Sequence, residues 1–312
     1  MFHDHIDMAG DNMQPKEIKS VRVVPYTIMN SSIGAVWAFL FALLILIFAG
    51  AIGSVLPAEM KVLKGLITGI SVVGLVVLPV GAFLLGIVES FLRAFIYNGL
   101  TPRLGGIRLS FIDMEQIESF DIVNTALILS AVSAILALIY QLLVSPLQWV
   151  FFNAILSIAR TVEPSAASSM AAVGSATALG TVVNIVITPI MTFIVAFIGT
   201  AIVLLLYNFL SGKITAIKLK LTETGDGFMS IDRIEAIPLG LITGSISAVI
   251  GLIIGIITFI VSAIGGDYVT GLILLVIVTI GAFLYAFIVY ALTALFYNVL
   301  APRIGAVQIR ME

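Results

Sequence analysis

Cysteine is absent from the chain, which excludes disulfides, thiolate metal sites and cysteine nucleophiles. Histidine is almost as scarce: the only two are His3 and His5, so the body of the chain holds none to serve as general base or metal ligand. Charged residues make up 10% of the chain, against about 25% in a soluble domain. In their place stand apolar residues, at 61%, with a mean hydropathy of +1.21. The chain reads as an integral membrane protein, mainly α-helical. Its apolar runs are too long for barrel strands, and backbone inside a bilayer must satisfy its own hydrogen bonds. No phosphate-binding loop, dinucleotide fingerprint or zinc motif occurs. Neither enzymatic activity nor a cofactor is expected, and nucleic acid is not an expected partner.

One stretch organises the rest. Tyr97-Asn98-Gly99-Leu100 is followed by Arg103, Gly105 and the alternating strand Ile107 to Phe111. It returns as Tyr207-Asn208-Phe209-Leu210 with Lys213, and as Tyr297-Asn298-Val299-Leu300 with Arg303 and Gly305. An ungapped return of this kind is an internal repeat, and three β-α-α-β units follow: 16–113, 114–227 and 228–312. Residues 1–15 read as a disordered cytoplasmic tail, in which His3, Asp4, His5 and Asp7 offer a candidate metal cluster.

Six spans are expected, at Ser31–Leu56, Leu66–Asn98, Thr125–Val144, Val182–Asn208, Leu239–Ile264 and Val269–Asn298. Pro146 to Arg160, with Trp149, Phe151 and Phe152, reads as a helix lying in the interface. Six strands surround the spans: Lys16–Pro25, Ile107–Phe111, Gln116–Val123, Ala216–Leu221, Ser230–Ile237 and Ala306–Met311. Of the 15 Lys and Arg residues only Lys61, Lys64 and Arg160 fall on the face away from the strands, so strands and both termini are expected in the cytoplasm. Pairing the first strand with the last would close a small antiparallel β ring and leave no edge. Three separate hairpins are the alternative. In a ring, Val21, Val23, Leu109, Phe120, Ile122, Leu219, Ile234, Ala236 and Ile309 would be among the residues facing inward.

The first helix of each unit carries small residues at matched places. They are Ser31, Gly34, Ala35 and Ala38, then Ser130, Ser133, Ala134 and Ala137, then Gly244, Ser247, Ala248 and Gly251. The spacing i, i+3, i+4, i+7 puts each set on one helix face. Small residues let helix backbones approach closely in lipid. From this, the first, third and fifth helices are expected to meet near a pseudo-threefold axis, with the three joints related by about 120°. The same stripe could instead line a narrow pore. Glu89 and Arg93, spaced i, i+4 within a span, form a candidate ion pair with either a local structural or a gating role. Tyr97, Tyr207 and Tyr297 read as interfacial anchors, and Asn98, Asn208 and Asn298 as helix-end caps. Arg103, Lys213 and Arg303 read as a cationic belt, serving either as positive-inside anchoring or as a contact for anionic lipid headgroups.

Ala94-Phe95-Ile96-Tyr97-Asn98, followed by Gly105-Gly106-Ile107, resembles a family of small prokaryotic transmembrane proteins of unknown function, each about one such repeat long. Thr215-Ala216 and Gly305-Ala306 depart from the double glycine, so the turn is expected to differ in those copies. The resemblance implies a prokaryotic plasma membrane and no particular activity. On all these grounds the expected role is that of a scaffold, assembly factor or regulatory protein. Its partners would be membrane lipids and an unidentified membrane or cytoplasmic protein. The alternative is a small channel or lipid-handling protein.

Overall fold

The computed structural model describes residues 13–162 and 164–312. The candidate metal cluster of His3, Asp4, His5 and Asp7 lies outside the described residues. The strands are β1 (Met13–Val21), β2 (Ile107–Ile112), β3 (Gln116–Phe120), β4 (Ile217–Thr224), β5 (Phe228–Ile234) and β6 (Gln308–Met311). Between them run α1 (Val23–Val55), α2 (Lys61–Leu104), α3 (Ile122–Val162), α4 (Pro164–Ser211), α5 (Ala236–Ile264) and α6 (Tyr268–Ile304). All six helices contain segments long and apolar enough to cross a membrane. At about 1.5 Å per residue, the 44 residues of α2 are far longer than a ~30 Å hydrocarbon core needs. The excess of α2, α4 and α6 carries them down beside the strands.

The strands close into an antiparallel barrel in the order β1-β2-β3-β4-β5-β6, with β1 paired to β6. Closure rules out the arrangement of three separate hairpins. The centre is filled by Leu109, Phe111 and Ile117, which pack with Tyr207, Leu210 and two α5 residues, Ile242 and Ile246. At the β2–β3 turn Asp113 and Met114 both adopt left-handed backbone, at φ 52° and 56°, and Met114 packs against the same core. Outside, Arg22 caps the β1–β6 seam: it donates to Gln308 Oε1, pairs with Asp226 and lies 4.5 Å above the Phe228 ring. That ion pair holds the Asp226 carboxyl below its ordinary value.

Several expected boundaries move. Met13, Gln14 and Pro15 are not tail but strand, paired with Ile112, Phe111 and Ser110. Val23, Ile122 and Ala236 belong to the first turns of α1, α3 and α5 instead of continuing strands into the barrel. The separate interfacial helix expected over residues 146–160 does not exist: α3 runs unbroken through Pro146 to Val162.

The helices pack as three antiparallel hairpins, α1/α2, α3/α4 and α5/α6, and the hairpins meet through α2/α3, α4/α5 and α6/α1. At the last of these, Trp37 Nε1 donates to Thr293 Oγ1 at 3.1 Å and the indole packs edge-on against Phe296. The small-residue stripe serves a different seam from the one expected. A Cβ on Gly251 would stand 2.9 Å from the Ala282 Cβ, and one on Gly244 would stand 3.1 Å from the Phe283 carbonyl oxygen. Ser31 backs onto Gly86, where an added Cβ would meet the Ser31 Cα at 3.1 Å. Gly244 and Gly251 thus let α5 approach α6, and Gly86 lets α2 approach α1 at Ser31, close contacts within a hairpin rather than between odd helices across an axis. The hydroxyls of Ser31, Ser130 and Ser133 donate to carbonyls of their own helices, at Thr27, Leu127 and Leu129.

Candidate functional site at the three helix-barrel joints

Where each even helix passes the barrel, its Tyr-Asn pair is spent on strand backbone. Tyr97 Oη donates to Ile18 O at 2.6 Å and accepts from Ile107 N at 3.0 Å. Ile18 and Ile107 face each other across β1 and β2, so the hydroxyl sits inside the ladder and relays a bond between the two strands. Tyr207 does the same between Ile117 O and Ile217 N, and Tyr297 between Ile231 O and Val307 N. All three tyrosines are at most 5% exposed. They are internal cross-links, not interfacial anchors.

The asparagines work one step further along. Asn98 Oδ1 accepts from Val21 N and its Nδ2 donates to Val21 O, both at 2.8 Å. Asn208 makes the same two bonds to Phe120, and Asn298 to Ile234. Val21, Phe120 and Ile234 are the last residues of β1, β3 and β5. Each carboxamide stands in for a neighbouring peptide and satisfies a strand end that would otherwise be orphaned. The helix-end capping expected of these asparagines is not their role, since α2 and α6 continue six residues beyond them.

A bulge explains why two side chains must reach so close together. Ile18 pairs with Met311 and Ser20 with Arg310, leaving Lys19 as the extra residue. Glu118 is the extra residue in β3 and Asp232 in β5, by the same shift of register. Each bulge lets two apolar residues three apart turn to the same side: Ile18 and Val21, Ile117 and Phe120, Ile231 and Ile234. Plain alternation misses this. The signal was present all the same, because that i, i+3 apolar pair recurs in all three units, and each tyrosine precedes its strand partner by ten residues every time.

The joints differ in detail. α2 and α6 end on Gly105 and Gly305, at φ 79° and 94°, in the left-handed region that favours glycine. α4 ends earlier, at Ser211, and turns through Lys213 and Ile214, whose N–H groups both return to Leu210 O. Thr215 therefore needs no positive φ. The three cations are exposed: Arg303 bonds to Val299 O, and Lys213 Nζ lies 3.4 Å from the Phe209 ring centre.

Joint one has a carboxylate of its own. Glu17 accepts from Gly106 N at 2.6 Å and pairs with Lys19 and Arg108. Burial works to raise its carboxyl, but these three partners outweigh burial and hold it below its ordinary value. A carboxyl lowered in the folded state stabilises the fold above its unfolded pKa, and that contribution disappears as pH falls through the folded value. The melting-temperature gap between wild type and Glu17→Gln should therefore close on acidification below about pH 4.5. An equal gap at neutral and acid pH would remove this role for Glu17.

Glu89 and Arg93 do form the expected pair, Arg93 Nη2 to Glu89 Oε1 at 2.6 Å, but on an outward face of α2 where Glu89 is 64% exposed. The neighbouring Asn30 Nδ2 donates to Ser90 Oγ. Among the described residues no cluster of three or more His, Asp or Glu could hold a metal.

These features define a class: a helical membrane protein with six membrane-length helices that carry a closed six-stranded β-barrel at one end. Comparisons with family models, curated proteins and solved structures find no match to the chain.

Proposed function

We propose that the chain is three fused β-α-α-β units around a pseudo-threefold axis, and that it acts as a non-enzymatic membrane scaffold, assembly factor or regulatory subunit. Its barrel is the contact surface, held in the cytoplasm beneath a prokaryotic plasma membrane with both termini on that side. One observation carries this reading: the same four hydrogen bonds from Tyr-Asn to strand backbone are made at 97–98, at 207–208 and at 297–298. Such cross-linking makes a rigid platform, and rigidity is of most use where a surface has to be presented. The outer face offers charges of both signs, including Arg108, Lys218, Lys220, Arg233 and Glu235. Lys and Arg are concentrated on the barrel side, which supports the cytoplasmic orientation. Arg103, Lys213 and Arg303 then lie at headgroup depth, where each cation is worth about 1 kcal/mol to an anionic surface. The resemblance of the Tyr97 unit to single-repeat membrane proteins fits an origin by fusion.

The channel reading is weaker. Leu109, Phe111 and Ile117 fill the barrel, and Ser31, Ser130 and Ser133 spend their hydroxyls on their own helices. The two readings part in a direct test. Full-length protein is captured from native membranes in mild detergent, beside a Lys218→Glu/Lys220→Glu variant. A partner held by wild type and lost by the variant is the expected result. Ion flux through reconstituted vesicles, with the same proteins captured by both forms, would overturn the scaffold role.

A further inference from the structure

We infer that the free edge of β4 binds an extended segment of a partner protein, one that alternates apolar and acidic residues and joins the barrel as an added strand. The starting point is a difference in length. β4 runs from Ile217 to Thr224 whereas β3 covers only Gln116–Phe120, and the two pair at just Gln116↔Lys218 and Ile117↔Ile217. One more bond, from Leu219 N to Glu115 O at 2.7 Å, ends the ladder where β3 gives way to its turn. Along a strand, successive residues direct their backbone groups to opposite edges. Lys218 O accepts from Glu235 N and Thr224 O from Gly227 N, which turns the even residues of β4 toward β5. Leu219 turns the other way, and the odd residues with it. Past the end of β3, the N–H and C=O of Leu221 and Glu223 therefore point out from the sheet edge, and among the described residues no hydrogen bond reaches them.

An open strand edge is a template for pairing with another chain. On β1 such an edge is blocked. Glu17 exchanges both of its backbone bonds with Glu312, so Pro15, two residues earlier, faces the same edge with no N–H to offer. β4 carries no proline, and its side chains define what fits beside it. Ile217, Leu219 and Leu221 pack toward the core, which leaves Lys218 and Lys220 on the outer face. Lys220 stands directly opposite Arg233 on β5, both side chains exposed, and among the described residues no carboxylate lies within ion-pair distance of either. Like charges placed opposite each other repel. An acidic side chain on an added strand would flank Lys220 from the open side and offset that repulsion. The apolar residues between its acids would continue the row that ends at Leu221. At about 3.3 Å per residue, the edge from Lys220 to Thr224 has room for a strand of roughly 16 Å. Main-chain bonds would supply the affinity, and the alternating side chains the selectivity.

The inference rests on the reading of the barrel as a contact surface and names the kind of partner it takes. The full chain in detergent is titrated with a short, end-blocked fluorescent peptide that alternates valine and glutamate, and with its valine–lysine counterpart. Amide exchange is followed residue by residue in the same samples. Without peptide, the Leu221 and Glu223 amides should exchange fast between slow ones at Thr222 and Thr224. The glutamate peptide should slow both, and should bind about tenfold tighter than the lysine peptide. Glu223→Pro removes an N–H that the chain itself does not use, so it should melt with wild type yet bind the peptide about tenfold more weakly. If that variant does not fold, Lys220→Glu decides, because it should reverse the preference in favour of the lysine peptide. Slow exchange at Leu221 and Glu223 in dilute protein alone, or peptide binding unchanged by both variants, would overturn the site. Protection that rises with protein concentration alone would make a second copy the occupant and overturn the partner assignment. Peptide binding without any captured partner would remove the scaffold role and leave the edge, whereas a partner captured through Lys218 and Lys220 with no protection of the edge would remove this inference and leave the scaffold.

Discussion

Asn208→Leu is expected to lower the unfolding free energy by about 2–6 kcal/mol, as two backbone groups of Phe120 lose their partners and about 1–3 kcal/mol is lost for each. The side chain keeps its bulk while both bonds to Phe120 disappear, the one from Phe120 N and the one to Phe120 O, each 2.8 Å long. Joint two is the sharpest place for the test, since no positive-φ glycine ends α4 there to confuse a lost clamp with a lost cap. Asn208→Asp separates the two bonds: a carboxylate can still accept from Phe120 N but has nothing to donate to Phe120 O. It should fall between wild type and the leucine variant in a detergent melt followed by tryptophan fluorescence. If the leucine variant melts with wild type, the carboxamide is a bystander and the joint is held by Tyr207 and by Ser211, whose hydroxyl donates to Glu118 O. Tyr207→Phe supplies that control, because it deletes the bonds to Ile117 and Ile217 and leaves the asparagine in place.

The parts of the fold governed by hydrophobicity and by edge counting were legible in the sequence. Apolar runs gave six helices, and a first strand with no partner except the last gave a closed ring. What stayed hidden depended on choices that hydrophobic pattern does not record. Val23, Ile122 and Ala236 are apolar whether a strand continues or a helix begins, so alternation ran past the true strand ends. The bulges at Lys19, Glu118 and Asp232 shift the face of every later residue in their strands, and period-two reading has no means to register an extra residue. A tyrosine at a membrane boundary is commonly an anchor, and only its constant ten-residue offset from a strand marked these three as ladder relays. Of the small-residue stripe, Gly244, Gly251 and Ser31 lie against the hairpin partner and not against another odd helix. Spacing along a helix tells which residues share a side, but not which helix lies against it. For Gly251 that neighbour is α6, down to the Ala282 methyl.

Gly106→Ala should cost more than about 3 kcal/mol, beyond the usual range for one added methyl in a packed site, although alanine is the natural residue at both corresponding positions. Ala216 and Ala306 occupy these places in the other two joints, so a comparison of the three copies would call the substitution harmless. The geometry of joint one says otherwise. A Cβ at Gly106 would lie 2.0 Å from the carbonyl oxygen of Ile18, which is backbone and cannot swing aside. That same oxygen accepts from Tyr97 Oη, so displacing it breaks the tyrosine relay as well. Movement of Gly106 in the other direction would pull its N–H away from Glu17, at 2.6 Å, and release the charge cluster with Lys19 and Arg108. Each way of relieving the clash therefore gives up a partnered polar group, and the losses do not overlap. Ala306→Gly is the matched control and should cost about 1 kcal/mol or less, chiefly through the freedom gained by the unfolded chain. Equal effects of Gly106→Ala and Ala306→Gly would mean that joint one can adopt the local path of joint three. The contrast between the copies would then be evolutionary drift and not a backbone constraint.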